Sequence, residues 1–102
     1  MSKLYVLTRR DLTVPQRLVQ SCHALAALLR SSDARTEGWD DTIVVLGVKD
    51  EKELRRWNGK LDEADHRWEG FEEPYFGNQQ TSLAFVGTPP SLQADLDSLR
   101  LL

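Results

Sequence analysis

The sequence has little of what several large protein classes require. It contains one cysteine, Cys22, so no disulfide can form within the chain. Its apolar runs are far shorter than the ~20 residues of a membrane-spanning helix. The first of them, around residues 4–7, is also too short for the apolar part of a signal peptide. We therefore expect a cytoplasmic protein that makes no contact with a membrane.

Positive charge is also scarce. Lys and Arg number 13 against 16 Asp and Glu, which gives a formal net charge of −3 at pH 7. Dedicated nucleic-acid-binding proteins usually carry a basic footprint, so any RNA contact must come from a local patch. The chain lacks a glycine-rich phosphate loop, and its two histidines and single cysteine match no zinc-ligand spacing. We predict no metal and no cofactor.

The remaining composition is that of an ordinary globular domain. Hydrophobic residues make up 40% of the chain and charged residues 28%. We predict that residues 1–102 form a single domain, since this length is typical of one. Two uninterrupted apolar runs, residues 3–8 and 42–48, are typical of strands covered on both faces. Two further strands are predicted over residues 66–71 and 81–87.

Three segments have helical character. The first runs from about residue 14 to 30, after a cap at Asp11 or Thr13 and with Pro15 in its first turn. The second follows a cap at Asp50, and a short third one covers residues 92–99. The resulting order, β-α-β-α-β-β-α, favours an α/β fold: three layers, α/β/α, around a four-stranded, mixed, mostly parallel sheet.

The first helix separates its side chains onto two faces. An apolar stripe, which we expect to pack on the sheet, consists of Val14, Leu18, Cys22, Leu25 and Leu29. A rotation of about 100° per residue places four others together on the opposite side: Gln16, Gln20, His23 and Ala27. His23 therefore shares a face with two amides that can orient a water molecule or fix the imidazole tautomer.

Two segments resemble the type 2 peptidyl-tRNA hydrolases. In the first, Arg10-Asp11-Leu12 after a strand is similar to the Arg/Asn-x-Asp-Leu turn of that family. Gln20-Ser21-Cys22-His23-Ala24 is similar to its Gln-Cys-Ser-His-Ala helix motif. In the second segment a Val-Val-Leu strand at residues 44–46 precedes Asp50-Glu51-x-x-Leu54, in the family's order. The pattern is most similar to the divergent peptidyl-tRNA-hydrolase-domain-containing branch.

The resemblance implies hydrolysis of the ester between peptide and tRNA, with peptidyl-tRNA as the partner. Water attacks the ester, His23 serves as base, and Asp11 and Gln20 orient the reacting groups. Substrate contacts are implied for Arg9, Arg10, Gln16, Arg17 and Thr81. The N-terminus of the first helix is suited to hold a phosphate or an oxyanion.

Other functions fit the same residues. A non-catalytic domain would bind RNA, a nucleotide or a protein in the same cleft, which the acidic composition favours. A different small hydrolase would use Thr81 with Glu72 or Glu73, since burial can raise the pKa of a carboxyl group. The Leu-rich end, residues 99–102, suits either a homodimer interface or a packed C-terminus.

Structural roles also remain open for most of these residues. Asp11 is equally suited to a turn or cap. Arg9 and Arg10 fit solvated charges at a strand end, and Thr81 fits an ordinary strand position.

Overall fold

The computed structural model describes residues 2–31 and 36–102. The strands in these ranges are β1 (Ser2–Arg9), β2 (Trp39–Val48), β3 (Glu69–Glu73), β4 (Gln79–Val86) and β5 (Arg100–Leu101). The α-helices are α1 (Val14–Arg30), α2 (Glu51–Glu63) and α3 (Gln93–Asp97). Among the described residues, no helix combines the length and the apolar character that crossing a membrane requires.

The strands form one mixed sheet in the order β3-β4-β1-β2-β5. β1 and β2 are parallel, and the other three pairings are antiparallel. The prediction of a four-stranded, mostly parallel sheet is therefore wrong in strand number and in direction. The physical reason lies in the connections: parallel neighbours need a crossover of a dozen or more residues, and the short turn Pro74–Phe76 between β3 and β4 is too brief for one.

Capping side chains start the two long helices where the sequence predicts. The Thr13 hydroxyl accepts a hydrogen bond from the Gln16 backbone N–H (3.3 Å), and the Gln16 side chain accepts one from the Thr13 N–H (2.9 Å). Asp50 accepts a bond from the Glu53 N–H (3.0 Å) at the start of α2. These bonds satisfy backbone donors that have no partner inside the helix.

The core consists of two clusters, because successive residues of a strand point to opposite faces of the sheet. Leu4 and Val6 of β1 pack with Ala24 and Leu28 of α1. Leu7 points to the opposite face of the sheet. It packs with residues of α2 and α3: Leu54, Trp57, Leu61 and Leu96. α1 and α2 therefore cover opposite faces of β1.

The face of α1 that packs on the sheet is not the predicted one. Val14 is 71% exposed and Leu18 67%, whereas the buried positions are Gln20, Ser21, Ala24 and Leu28. The buried face lies one residue, or about 100°, away from the apolar stripe. Gln20 and Ser21 can be buried there because the sheet offers hydroxyl partners: the Thr8 hydroxyl lies 2.7 Å from the Ser21 hydroxyl, and the Ser82 hydroxyl donates to the Gln20 backbone carbonyl (2.7 Å).

Candidate functional site

The turn between β1 and α1 is held by two arginines that the sequence suggested as substrate ligands. Arg17 donates to the backbone carbonyls of Leu12 (3.0 Å) and Arg10 (2.6 Å). Arg10 crosses above Gly47 and donates to the carbonyls of Arg100 (3.1 Å) and Leu101 (2.8 Å) in β5. Both guanidinium groups thus fasten the main chain and use some of their five N–H donors to do so.

Arg9 and Asp11 form a two-pronged ion pair at the end of β1. Arg9 is buried, and its Nε and Nη2 atoms donate to the two Asp11 carboxylate oxygens at 2.9 and 2.8 Å. The hydrogen bond with Arg9 lowers the pKa of Asp11, and the same bond raises the pKa of Arg9. Nη1 of Arg9 also donates to the Gln79 side chain (2.9 Å) and to the Gln80 carbonyl (3.2 Å), which links the turn to the start of β4.

A β-bulge at Thr81 directs its side chain toward α1. In the β3–β4 ladder Phe71 pairs with Ser82 and Glu72 with Gln80, so Thr81 has no partner of its own. Its hydroxyl turns to the same side as that of Ser82 and donates to Gln20 Oε1 at 2.6 Å. Bulges are frequent beside active sites, where they redirect a side chain in this way.

Gln20 joins this bulge to a buried carboxylate. The amide is 4% exposed, and its Nε2 donates to Glu73 Oε2 at 3.2 Å. Glu73 is the last residue of β3, and its other oxygen accepts a longer bond (3.4 Å) from the Tyr75 N–H. Both ends of the Gln20 amide are therefore committed to protein partners.

His23 lies one helical turn beyond Gln20 and is exposed. Its imidazole is stacked on the ring of Phe71 in β3, with centroids 4.2 Å apart and planes 6° from parallel. Within the described residues neither of its ring nitrogens forms a hydrogen bond. The imidazole thus has a fixed plane and two nitrogen atoms available to a ligand or to water.

The predicted site residues fall on two sides of α1. Arg9, Asp11, Gln20 and Thr81 converge at the first residues of β4, and His23 borders this group above β3. Arg10 instead reaches β5, at the opposite edge of the sheet from β3. We call the first group the β3–β4 polar site; it consists of Arg9, Asp11, Gln20, His23, Phe71, Glu73 and Thr81.

The N-terminus of α1 is largely occupied by its own cap. Thr13 accepts the Gln16 N–H, the Arg17 N–H bonds to the Thr13 carbonyl, and Pro15 has no N–H to offer. Gln16 spends its side-chain oxygen on the same cap. Few of the donors expected for an anion at this helix end are therefore available.

A solved structure shares this fold. It is that of Atu0240, a protein of unknown function from Agrobacterium tumefaciens strain C58, which superimposes with a TM-score of 0.74. The alignment covers 99% of this chain and 97% of that one at 16% sequence identity, so it establishes a common fold and nothing about activity. No protein-family model and no curated protein matches the chain.

Sequence reasoning missed the parts of the site that β3 contributes. Phe71 gave no signal because an aromatic residue in a strand usually packs in the core. The sequence does not distinguish Glu73 from its neighbour Glu72, which the structure shows exposed and 3.4 Å from Arg55. The pair Glu73-Pro74 did contain a usable signal, because an acidic residue directly before a proline often caps a turn.

Proposed function

We propose that the protein is a peptidyl-tRNA hydrolase-like esterase, whose reaction takes place at the β3–β4 polar site. The observation that carries the proposal is the meeting of three distant segments. The Asp11 turn, Gln20 of α1 and Thr81 of β4 come together. Beside them lies the His23 imidazole, whose nitrogens form no hydrogen bond within the described residues. The fold alone does not imply this chemistry, so the proposal depends on the site.

The side chains suggest a division of labour. Water attacks the ester carbonyl and His23 takes the proton, which later passes to the departing ribose oxygen. Phe71 holds the imidazole plane by stacking. Gln20 has both ends of its amide engaged, so it acts as a positioning residue that ties α1 to β3 and β4.

Asp11 supplies a fixed negative charge at the edge of the site. Its side chain is 41% exposed, and its lowered pKa keeps it ionised at neutral pH. Arg9 neutralises this charge from the buried side. Its guanidinium donates to Asp11, Gln79 and the Gln80 carbonyl, and we assign it no contact with substrate. The pair therefore shapes the electrostatics of the site without itself moving a proton.

The proposal is tested by cleavage of an N-blocked aminoacyl-tRNA under single-turnover conditions. We expect the His23→Ala variant to lose about 100-fold or more in rate, which is the usual contribution of a general base. His66→Ala is the matched control, because His66 is the other histidine and bonds to the Val86 carbonyl on a different part of the sheet. Equal rates for the two variants would remove the proposal.

A non-catalytic binding domain is the second candidate, and the state of the arginines favours it. Arg9, Arg10 and Arg17 all spend donors on protein atoms, and the chain carries a net charge of −3. Titration of labelled tRNA at several salt concentrations separates the cases. Phosphate contacts give a steep fall of affinity with salt, roughly one power of the salt concentration per contact. Salt-independent binding of tRNA, or no binding, would point to a protein partner instead.

A further inference from the structure

The turn between β3 and β4, residues 74–78, presents an aromatic ring to water. Tyr75 is 93% exposed, which is more than any other large hydrophobic side chain of the described residues. A single exposed apolar side chain is ordinary by itself. What distinguishes Tyr75 is the backbone that carries it and the site beside it.

The backbone of this turn is fixed by its own hydrogen bonds. The Gly77 N–H donates to the Pro74 carbonyl (3.2 Å), and the Asn78 N–H donates to the Glu73 carbonyl (3.0 Å). Gly77 and Asn78 have φ angles of 65° and 61°, a left-handed conformation that glycine and asparagine adopt more readily than most residues. Pro74 adds a φ locked by its ring. The turn is therefore pre-organised, which lowers the entropy cost of binding a ligand there.

Glu73 connects the turn to the β3–β4 polar site. One of its carboxylate oxygens accepts from the Tyr75 backbone N–H (3.4 Å), and the other accepts from the Gln20 amide (3.2 Å). Phe71, on which His23 is stacked, precedes Tyr75 by only four residues. Their Cα atoms are therefore at most about 14 Å apart. The imidazole and the exposed ring border the same site.

The chemistry of the turn suits a nucleobase. Residues 74–80 contain no Lys, Arg, Asp or Glu, although 28% of the chain is charged. Glu72, the nearest exposed carboxylate in sequence, lies 3.4 Å from Arg55. Asn78 is exposed, and its side-chain amide forms no hydrogen bond within the described part of the chain. An aromatic ring that stacks on a base and an amide that pairs with the base edge are the usual means of binding single-stranded RNA.

We propose that Tyr75 is a base-binding residue that stacks on the 3′-terminal adenine of tRNA. The inference rests on the proposed function, because the ester that His23 hydrolyses is attached to the ribose of that same nucleotide. The base therefore lies within one nucleoside of the imidazole, and Tyr75 is the exposed aromatic side chain of the described residues. Stacking supplies affinity for RNA that the arginines engaged with protein atoms do not.

Equilibrium binding of two uncharged tRNAs tests the proposal without a cleavage step. One tRNA is complete, and the other lacks only its 3′-terminal adenosine. The wild type should bind the complete tRNA about 5- to 100-fold more tightly, the usual contribution of one stacked base. Tyr75→Ala should bind the two tRNAs with nearly equal affinity. Tyr75→Phe is the matched control, because it keeps the ring and should keep the preference.

Each outcome decides the proposal. The side chain of Tyr75 is almost fully exposed, so both variants should fold, which circular dichroism checks. A preference that Tyr75→Ala removes and Tyr75→Phe keeps supports base stacking. Equal affinity of the wild type for the two tRNAs overturns it, and so does a preference that Tyr75→Ala retains or that Tyr75→Phe loses. No binding of tRNA up to about 100 µM, the weak limit of ordinary non-specific binding, also overturns it.

A separate measurement decides the esterase proposal. His23→Ala leaves the turn intact, so it should bind both tRNAs as the wild type does while it loses cleavage. Tyr75→Ala should raise the protein concentration that half-saturates single-turnover cleavage and leave the saturated rate close to that of the wild type, as loss of uniform binding does. Absence of cleavage together with a Tyr75-dependent preference would remove the hydrolase and keep the base-binding residue. Cleavage that needs His23, with no such preference, would do the reverse.

Discussion

Replacing Thr81 by valine removes one hydroxyl group from the interior and keeps the shape of the side chain. Thr81 is fully buried, and its hydroxyl donates to Gln20 Oε1 at 2.6 Å. In the variant that amide oxygen remains buried without its donor, because Gln20 is only 4% exposed. Leaving a buried acceptor unpaired costs about 1–3 kcal/mol. We therefore expect the free energy of unfolding to fall by about 2 kcal/mol.

Urea and thermal unfolding measure this loss. In a domain of this length 1 kcal/mol shifts the melting temperature by about 4–8 °C, so we expect a decrease of roughly 8–16 °C. Thr42→Val in β2 is the control, because Thr42 is exposed and its replacement should stay within about 0.5 kcal/mol. If Thr81→Val costs no more than the control, the bond to Gln20 does not stabilise the polar site, and the argument for a fixed Gln20 fails.

Two further predictions concern the arginines. Arg9 lowers the pKa of Asp11 below its ordinary value of 3.8, so the stability from this pair is present above that value and is lost as the pH falls through the lowered pKa. The Asp11→Asn variant should therefore be less stable than the wild type at neutral pH, by up to about 1 kcal/mol. Urea unfolding should show this difference in the free energy of unfolding shrinking as the pH falls below about 4. A difference that does not change with pH would contradict the prediction. A Cβ at position 47 would collide with the Arg10 side chain, so Gly47→Ala should cost about 1–2 kcal/mol in the wild type but little in the Arg10→Ala background. Equal cost in both backgrounds, measured by thermal unfolding, would show that Arg10 is not the obstacle.

Local signals in the sequence were sufficient to place the helices. Thr13, Pro15 and Asp50 mark the starts of α1 and α2, and the structure confirms both caps. These predictions work because a cap involves residues only three positions apart. The predicted order of elements up to α3 is also the observed one, because apolar runs and helical periodicity are local features of the sequence.

The orientation of α1 could not be obtained in that way. An apolar stripe shows that one face of a helix avoids water, but not whether its own sheet or another surface covers it. Gln20 and Ser21 are buried because Thr8, Thr81 and Ser82 supply partners from other strands. That compensation depends on tertiary contacts, which periodicity does not contain.

Two features of the sheet escaped prediction because they rest on contacts distant in sequence. β5 has only two residues, and it is held where Arg10 binds its carbonyls from 90 positions away. The bulge that directs Thr81 toward Gln20 is a change of register between β3 and β4, with no residue type that announces it. The predicted roles of His23, Asp11 and Gln20 in hydrolysis stay predictions.

The central claim is that the imidazole stacked on Phe71 does chemistry at an ester. The most direct measurement is the ratio of the single-turnover cleavage rates of the His66→Ala and His23→Ala variants on the same batch of N-blocked aminoacyl-tRNA. The account predicts a ratio of about 100 or more, with His66→Ala close to the wild type. A ratio near one, or no cleavage by the wild type at high enzyme concentration, would contradict it.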